Sequence, residues 1–284
     1  MPREDFICDT IASADMAVVE IPLSPWQRLA NSPAARKVFV LVALAVVWEV
    51  YARWLDNPLL FPTLGATLEA LWDGFASGEL EARSWVSLSV LLIGYAAGVV
   101  LAFMFAVIAI TSRLGNDFLE TLTAMFNPLP AIALLPLALL WFGLGIGSTV
   151  FVLIHSVLWA VALNAHAGFR AVSETTRMVG RNYGLSGLGL VWKILLPAAF
   201  PSILAGLKIG WAFAWRTLIA AELVFGTTSG SGGLGWYIYQ NKNAIEIPNV
   251  FAGLLTVILI GLVVENLVFR VVEARTVQRW GMQH

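Results

Sequence analysis

The chain has 284 residues, of which 59% are hydrophobic and only 12% are charged. A soluble domain carries roughly 25% charged residues because it must cover its surface with solvated side chains, so this composition excludes an ordinary soluble protein and predicts a membrane protein. A net charge of -1 provides no basic field for nucleic acid. The single cysteine, Cys8, excludes an intrachain disulfide and a thiolate metal cluster.

The N-terminal third of the sequence predicts two membrane spans. Residues 1–37 are polar and lack an apolar core after a basic start, so we expect a cytoplasmic segment there and no cleaved signal peptide. A spanning helix needs about 20 mostly apolar residues, because each residue adds about 1.5 Å across a hydrocarbon core about 30 Å thick. Residues 38–55 and 86–110 meet this criterion. Residues 56–84 are predicted to form an outer loop with a short helix.

Four further spans follow. From Thr121 to Phe169 the chain has no Asp, Glu, Lys or Arg, which is too long for one crossing. Glycines near residue 145 offer a turn, so we predict spans at 121–142 and 149–169. The last two spans are predicted at 201–226 and 250–272. The fold class is therefore an all-α integral membrane protein with six transmembrane helices in one domain, residues 38–280.

The distribution of Lys and Arg predicts the orientation. With the N-terminus in the cytoplasm, the inner segments hold twelve of these cations and the outer segments three, while Lys208 and Arg216 fall within span five. Cytoplasmic loops carry an excess of Lys and Arg. We therefore expect both termini in the cytoplasm, since the number of spans is even.

The inner loop at residues 170–197 is long for a connection between spans. It combines four cations with closely spaced glycines and leucines. A short amphipathic helix with a glycine-permitted turn is typical of an element that docks into a cleft of a soluble partner. The same composition also fits an interfacial helix that rests on lipid headgroups, so composition leaves both possibilities open.

The end of this loop resembles the cytoplasmic loop of bacterial ATP-binding-cassette (ABC) importer permeases. That pattern is Glu-Ala-Ala, three residues, Gly, nine residues, Ile, one residue and Leu-Pro. Gly184, Ile194 and Leu196-Pro197 match it, whereas Met178, Val179 and Gly180 occupy the degenerate Glu-Ala-Ala positions. Across residues 55–280 the chain is similar to permeases of the taurine, alkanesulfonate and nitrate importer group through ordered short runs, among them Phe61-Pro-Thr63, Asn127-Pro-Leu-Pro130, Leu140-Trp-Phe-Gly-Leu-Gly145, Ala221-Glu222 and Gly232-Gly-Leu-Gly235.

This resemblance implies a type I ABC importer fold, similar to that of the methionine importer, in the bacterial inner membrane. It implies a homodimer that works with two cytoplasmic ATP-binding subunits and a periplasmic binding protein. ATP and Mg would be bound by the partner ATPase, and this chain would bind no cofactor or metal and carry no catalytic residue. Residues 178–196 would form the coupling helix, with contacts from Met178, Gly180, Gly184, Leu185, Gly187, Leu188, Ile194, Leu196 and Pro197.

Ionisable groups at membrane depth are costly unless they line water or form pairs. Arg216 would either offer a positive charge to an anion in the pore or pair with Glu265, Glu49 or backbone carbonyls. Glu222 lies on a different face of the same helix and would either tie an outer gate or form a structural salt bridge. The other candidate pathway residues are Trp215, beside Arg216, and Asn127.

Span three contains a proline-rich stretch, and span four contains two histidines. Asn127 belongs to a proline-rich stretch that distorts span three, either because it borders the pathway or because of helix packing. His155 and His166 share a face of span four but lie about 16 Å apart along the axis. One metal ion cannot bridge that distance, so we expect interhelical hydrogen bonds from both histidines.

Two other classes of membrane protein are possible. An intramembrane enzyme would show a His-Glu-x-x-His helix, a Ser/Lys pair or a facing Asp pair, and none is present in the sequence. A stand-alone secondary transporter or channel usually contains internal repeats with discontinuous helices in both halves. The leading prediction is the permease subunit of an ABC importer, which forms the pathway for a small anion such as a sulfonate, nitrate or an aromatic carboxylate.

Overall fold

The computed structural model describes residues 32–225 and 232–278. Most of the predicted N-terminal segment (1–31), the end of span five at Gly226 and the last two residues of the predicted domain (279–280) lie outside these ranges. The chain divides into two units, residues 1–51 and 52–284. The described part of the first unit belongs mainly to helix α1, Pro33–Leu55, which is long and apolar enough to cross a membrane.

The described residues of the second unit form helices joined by short loops. The helices are α2 (Leu64–Ala76), α3 (Glu79–Thr111), α4 (Arg113–Phe126), α5 (Leu135–Phe142), α6 (Ile146–Ala171), α7 (Glu174–Asn182), α8 (Gly187–Ala198), α9 (Phe200–Phe225), α10 (Leu234–Asn243) and α11 (Ile247–Val277). Helices α3, α6, α9 and α11, together with α1, are candidate membrane spans, and α4 and α5 form a sixth, broken span bent by 87°. The six predicted spans are thus present when the broken pair counts as one.

The segment before span two contains more helix than predicted. The short helix expected within residues 56–84 is α2, and the Thr63 side chain caps it by accepting a hydrogen bond from the Ala66 amide. The prediction that residues 79–84 belong to the loop is wrong, because α3 begins at Glu79. Gly78 adopts a left-handed conformation between the two helices, and Glu79 lies in the first helical turn, where the helix dipole favours a negative charge.

Predicted span three, residues 121–142, is not a continuous helix. The helix α4 begins at Arg113 and ends at Phe126, and α5 begins at Leu135 after a 3₁₀ turn. Proline has no amide hydrogen and disfavours a helical conformation at the residue before it. Pro128 and Pro130 therefore explain the break, and the predicted distortion of this span is confirmed.

Small residues let α3, α6 and α9 pack closely as the centre of the second unit. A Cβ atom at Gly98 of α3 would lie 2.8 Å from the Val157 Cβ of α6. A Cβ atom at Gly206 of α9 would lie 2.6 Å from the Asn164 Cβ of α6. Small residues that allow such close approach are typical of interfaces between membrane helices. These contacts decide which faces of the three helices meet.

Candidate functional site

The predicted coupling loop, residues 170–197, forms two helices, so the prediction of one coupling helix over residues 178–196 is wrong. The Ser173 side chain caps α7 by accepting a hydrogen bond from the Thr176 amide. The chain then turns at Gly184 (φ +77°) and Gly187 (φ +50°). Because glycine adopts left-handed conformations at little cost, it is common where a helix ends.

One side of this loop is buried against the rest of the second unit. A Cβ atom at Gly180 would lie 2.7 Å from Leu190 Cδ1 and 3.0 Å from Ile194 Cγ1. Gly180 is therefore a packing position between α7 and α8, and it is not exposed to a partner. The predicted coupling residues Leu185, Ile194 and Leu196 are half-buried in the same apolar cluster, whose buried members include Phe169, Val172, Leu190, Val191, Leu195 and Ala199.

The other side of the loop presents apolar side chains at the surface. Met178 is 53% exposed and Trp192 is 64% exposed. We call this exposed set the loop surface, and it consists of Met178, Val179, Tyr183, Leu188 and Trp192. The predicted coupling residues Gly184, Gly187 and Pro197 are exposed as well. Exposed apolar side chains concentrated in one loop are typical of a docking or membrane-contacting surface.

Glu222 of α9 lies in a buried polar group that we call the Glu222 cluster: Ser87, Glu222, Leu234 and Gly235. Glu222 is 1% exposed, the Ser87 hydroxyl lies 2.9 Å from both of its carboxylate oxygens, and the Gly235 amide donates to Oε2 at 2.8 Å. The Leu234 amide donates to Ser87 Oγ at 2.8 Å. No described cation pairs with Glu222, so the predicted salt bridge is wrong.

The Glu222 cluster holds the first turn of α10, whose amides have no partner within the helix. The carboxylate thus acts as a cap supplied by another helix. Gly233 leaves no room for a side chain, because a Cβ atom there would overlap Glu222 Oε1 and Ser87 Oγ. Arg83 adds a hydrogen bond from Nη1 to the Gly232 carbonyl at 3.3 Å. Sequence reasoning missed Ser87, although its hydroxyl lies in a predicted span and the dense glycines at 232–235 signalled a close approach.

One aromatic residue of α10, Tyr237, packs against α11. Tyr237 is buried against Gly253 of α11, where a Cβ atom would lie 3.0 Å from the Tyr237 ring. Burial raises the pKa of Tyr237 to about 12, with smaller contributions from the charges of Glu79 and Glu246. The Tyr237 hydroxyl therefore stays protonated at physiological pH.

Arg216, six residues before Glu222, lines a cavity of about 380 Å³, which we call the Arg216 cavity. Its Nε donates to the Ala212 carbonyl at 3.0 Å, and its Cζ lies 5.3 Å from the Phe213 ring centroid. Within the described part of the second unit, no carboxylate lies within ion-pair distance of Arg216. The predicted pairing with Glu265 is wrong, and the predicted contact with a backbone carbonyl is confirmed.

The Arg216 cavity lies where the broken span meets α6 and α9. The structure brings Asn127 to the same cavity as Arg216. It places Trp215 elsewhere: this side chain is buried, and its Nε1 donates to the Val257 carbonyl of α11 at 3.3 Å. Glu222 does not line the cavity either. The lining consists of residues 127–132, His155, Ser156, Trp159, Phe213, Arg216, Thr217 and Ala220.

Two aromatic residues of the cavity carry buried polar atoms without a partner. Both ring nitrogens of His155 and Nε1 of Trp159 make no hydrogen bond with the described residues, so the predicted interhelical bond from His155 is wrong. His166 Nε2, outside this cavity, also lacks a partner. An unpaired buried donor costs about 1–3 kcal/mol. The His155 and Trp159 nitrogens are themselves buried, so they do not lie on the open surface of the cavity.

A metal ion is not suggested by the arrangement of side chains. Across residues 32–225 and 232–278, no three His, Cys, Asp or Glu side chains are grouped so that they could hold a metal ion. The Arg216 cavity is lined by hydrogen-bond donors, a guanidinium group and apolar walls. These groups suit recognition of an anion, since they offer positive charge and N–H groups and no carboxylate.

Comparison with known proteins adds a family match. Residues 94–278 match the family described as binding-protein-dependent transport system inner membrane component. The chain is 29% identical over 229 residues to the taurine transport system permease protein of Escherichia coli (79% of this chain, 82% of the relative). It is 30% identical over 225 residues to a provisionally assigned aliphatic sulfonates transport permease of Escherichia coli (78% and 84%). It is 25% identical over 252 residues to the nitrate import permease of a Synechocystis species (86% and 90%).

Proposed function

The chain belongs to the family of binding-protein-dependent transport system inner membrane components, and we propose that it forms the pathway by which an ABC importer moves a small anion. It is a multi-pass membrane protein and a transport permease. Members of this family work with an ATPase and a substrate-binding protein. The alternative of a stand-alone secondary transporter or channel is not favoured, because the family match covers most of the spans.

The observation that carries the proposal is the two-sided construction of the loop at residues 170–197. One side is buried in the apolar cluster around Phe169 and Leu195, and the loop surface is exposed. After α8, a single residue, Ala199, precedes α9. Arg216 lies 16 residues into α9, about 24 Å along the helix axis. A displacement of the loop surface would therefore be transmitted to the Arg216 cavity through α8 and α9, which form one nearly continuous helical segment.

The proposed assembly is the one that the family implies. The loop at residues 170–197 and both chain termini lie in the cytoplasm, in keeping with the excess of Lys and Arg on that side. Two copies of this chain associate in the bacterial inner membrane with two ATP-binding subunits, which carry ATP and Mg. A periplasmic binding protein docks on the opposite side. This chain binds no cofactor and performs no catalysis.

The proposed substrate is a small anion. The relatives are named for taurine, aliphatic sulfonates and nitrate, all of which carry an anionic group. Arg216 supports the extension to this chain, because it lines a cavity and lacks a described carboxylate partner. The proposed substrate can be a sulfonate, nitrate or a carboxylate.

The experiment that tests the coupling role is the change Gly184→Asp in the complete importer reconstituted in proteoliposomes. Gly184 has φ +77°, which strains any other residue, and it lies beside the loop surface. We expect ATP-driven uptake to fall by about tenfold or more, in line with coupling free energies of a few kcal/mol, while ATP hydrolysis and expression persist.

The matched control is Gly65→Asp. A Cβ atom at Gly65 meets nothing within 4 Å and the residue does not have a positive φ, so uptake should stay normal. Normal ATP-driven uptake by Gly184→Asp would contradict the coupling role. Labelling of a cysteine at Ser186 from the periplasmic side would contradict the proposed orientation.

A further inference from the structure

We infer that the Arg216 cavity binds the transported substrate itself, and that it selects an organic oxyanion, a sulfonate or carboxylate with an apolar body, over a small inorganic anion such as nitrate. This inference rests on the proposed transport function and narrows its substrate class. It assigns selectivity to the permease chain, in addition to whatever selectivity a binding protein supplies.

Arg216 defines the anionic end of the ligand. Arg216 uses Nε on the Ala212 carbonyl, and the terminal nitrogens of its guanidinium group make no hydrogen bond with described residues. A planar guanidinium group matches two oxygens of a sulfonate or carboxylate.

The other side chains of this wall fix its shape. The rings of His155 and Trp159 line the cavity, while the nitrogens His155 Nδ1, His155 Nε2 and Trp159 Nε1 are buried. Ser156 and Thr217 bond to each other at 3.2 Å, which joins α6 to α9 beside the cavity.

The size and walls of the cavity define the rest of the ligand. Its volume of about 380 Å³ falls in the range of about 300–1,000 Å³ that is typical of sites for organic ligands. A water molecule occupies about 30 Å³, so an anion of four heavy atoms would leave most of the space to water. The walls that such an anion would not use are apolar: Pro128, Leu129, Pro130, Ala131, Ile132, Phe213 and Ala220.

The backbone that forms one wall supports a role in transport. Residues 127–134 interrupt the broken span with a bend of 87° between α4 and α5. Irregular backbone at membrane depth is tolerated only where it is buried in protein or lines a water-filled cavity. Asn127 and Pro130 line the Arg216 cavity. The break in this span therefore borders the inferred transport pathway.

The test measures binding to the permease assembled with its ATP-binding subunits, without the binding protein. Saturation-transfer NMR detects benzenesulfonate, and butanesulfonate, benzoate or nitrate is added at equal concentration as a competitor. We expect butanesulfonate and benzoate to displace the probe and nitrate to leave it bound. Arg216→Ala should weaken binding about 10- to 100-fold, because the anion loses the charged donor of the cavity.

The control is Lys242→Ala, which removes an exposed cation on α10 outside the cavity and should leave binding unchanged. Equal displacement by nitrate would overturn the selectivity for organic anions. Unchanged probe binding by a folded Arg216→Ala variant, or no binding by the unaltered complex at millimolar probe, would overturn the site. The proposed function fails separately, if the complete importer shows no uptake that depends on ATP.

Discussion

Glu222 and Arg216 lie on the same helix, six residues apart, but the surroundings of their charged groups are opposite. Glu222 is enclosed, and the protein supplies its donors from Ser87 and Gly235. Arg216 lines an open cavity, and the terminal nitrogens of its guanidinium group make no hydrogen bond with described residues. A charge whose partners are all supplied by the protein stabilises the fold. A charge that the fold leaves incomplete points to a ligand.

The packing of α9 explains the difference. Every fourth residue from Gly206 to Glu222 is buried, so Glu222 continues the stripe that packs on neighbouring helices: Gly206, Gly210, Ala214, Leu218 and Glu222. Arg216 lies off this stripe, beside the exposed Phe213. The predicted separation of Arg216 and Glu222 onto different faces is therefore confirmed.

Glu222→Ala would test the structural half of this comparison and should have the largest effect. The Ser87 hydroxyl and the Gly235 amide would lose their acceptor inside the protein, which costs about 1–3 kcal/mol for each group. We expect a clear fall in the melting temperature in detergent and a smaller fall for Glu222→Gln, which keeps one acceptor. Glu265→Ala, at an exposed carboxylate of α11, is the matched control. An unchanged melting temperature for Glu222→Ala would show that the carboxylate does not contribute to the stability of the fold.

Gly233→Ala should destabilise the same cluster by about 1–3 kcal/mol, because the added methyl group overlaps the carboxylate and the hydroxyl. The melting temperature is again the measurement. Gly65→Ala is the control, since its methyl group meets no atom within 4 Å and alanine favours a helix more than glycine does. Equal melting temperatures for the two variants would show that the approach of Gly233 to Glu222 is looser than described.

Arg216→Ala would test the other half of the comparison. Its side chain is exposed and makes one described hydrogen bond within its own helix, so stability should change by only about 0.5 kcal/mol. Uptake of an anionic substrate should nevertheless fall about tenfold, because the anion loses a charged donor. The two measurements are the melting temperature and ATP-driven uptake in proteoliposomes. A melting temperature as low as that of Glu222→Ala would make Arg216 a structural residue.

Trp215→Phe should have a small effect that is confined to stability. It removes the hydrogen bond from Trp215 Nε1 to the Val257 carbonyl, which is worth about 1 kcal/mol, and it keeps an aromatic ring between α9 and α11. Uptake should stay normal, since Trp215 does not line the Arg216 cavity. Strongly reduced uptake at an unchanged melting temperature would show that Trp215 takes part in the transport pathway.

The sequence by itself determined the membrane spans, the break in the third span and the glycine turns of the loop. Those features depend on hydropathy, proline and glycine within a few neighbouring residues. It also singled out Arg216 and Glu222, because a charge inside an apolar run is visible without any partner. It could not predict that residues 170–197 form two helices, since the packing of Gly180 against Leu190 and Ile194 is a contact between helices.

Only the tertiary structure decided what the two charges do. Ser87 and Glu222 are 135 residues apart in the chain, and the Arg216 cavity combines residues 127–132 with parts of α6 and α9. Which side chains meet there depends on which helix faces pack, and close-packed small residues such as Gly98 and Gly206 set those faces. That selection follows from contacts between distant segments, so no local pattern of polarity predicts it.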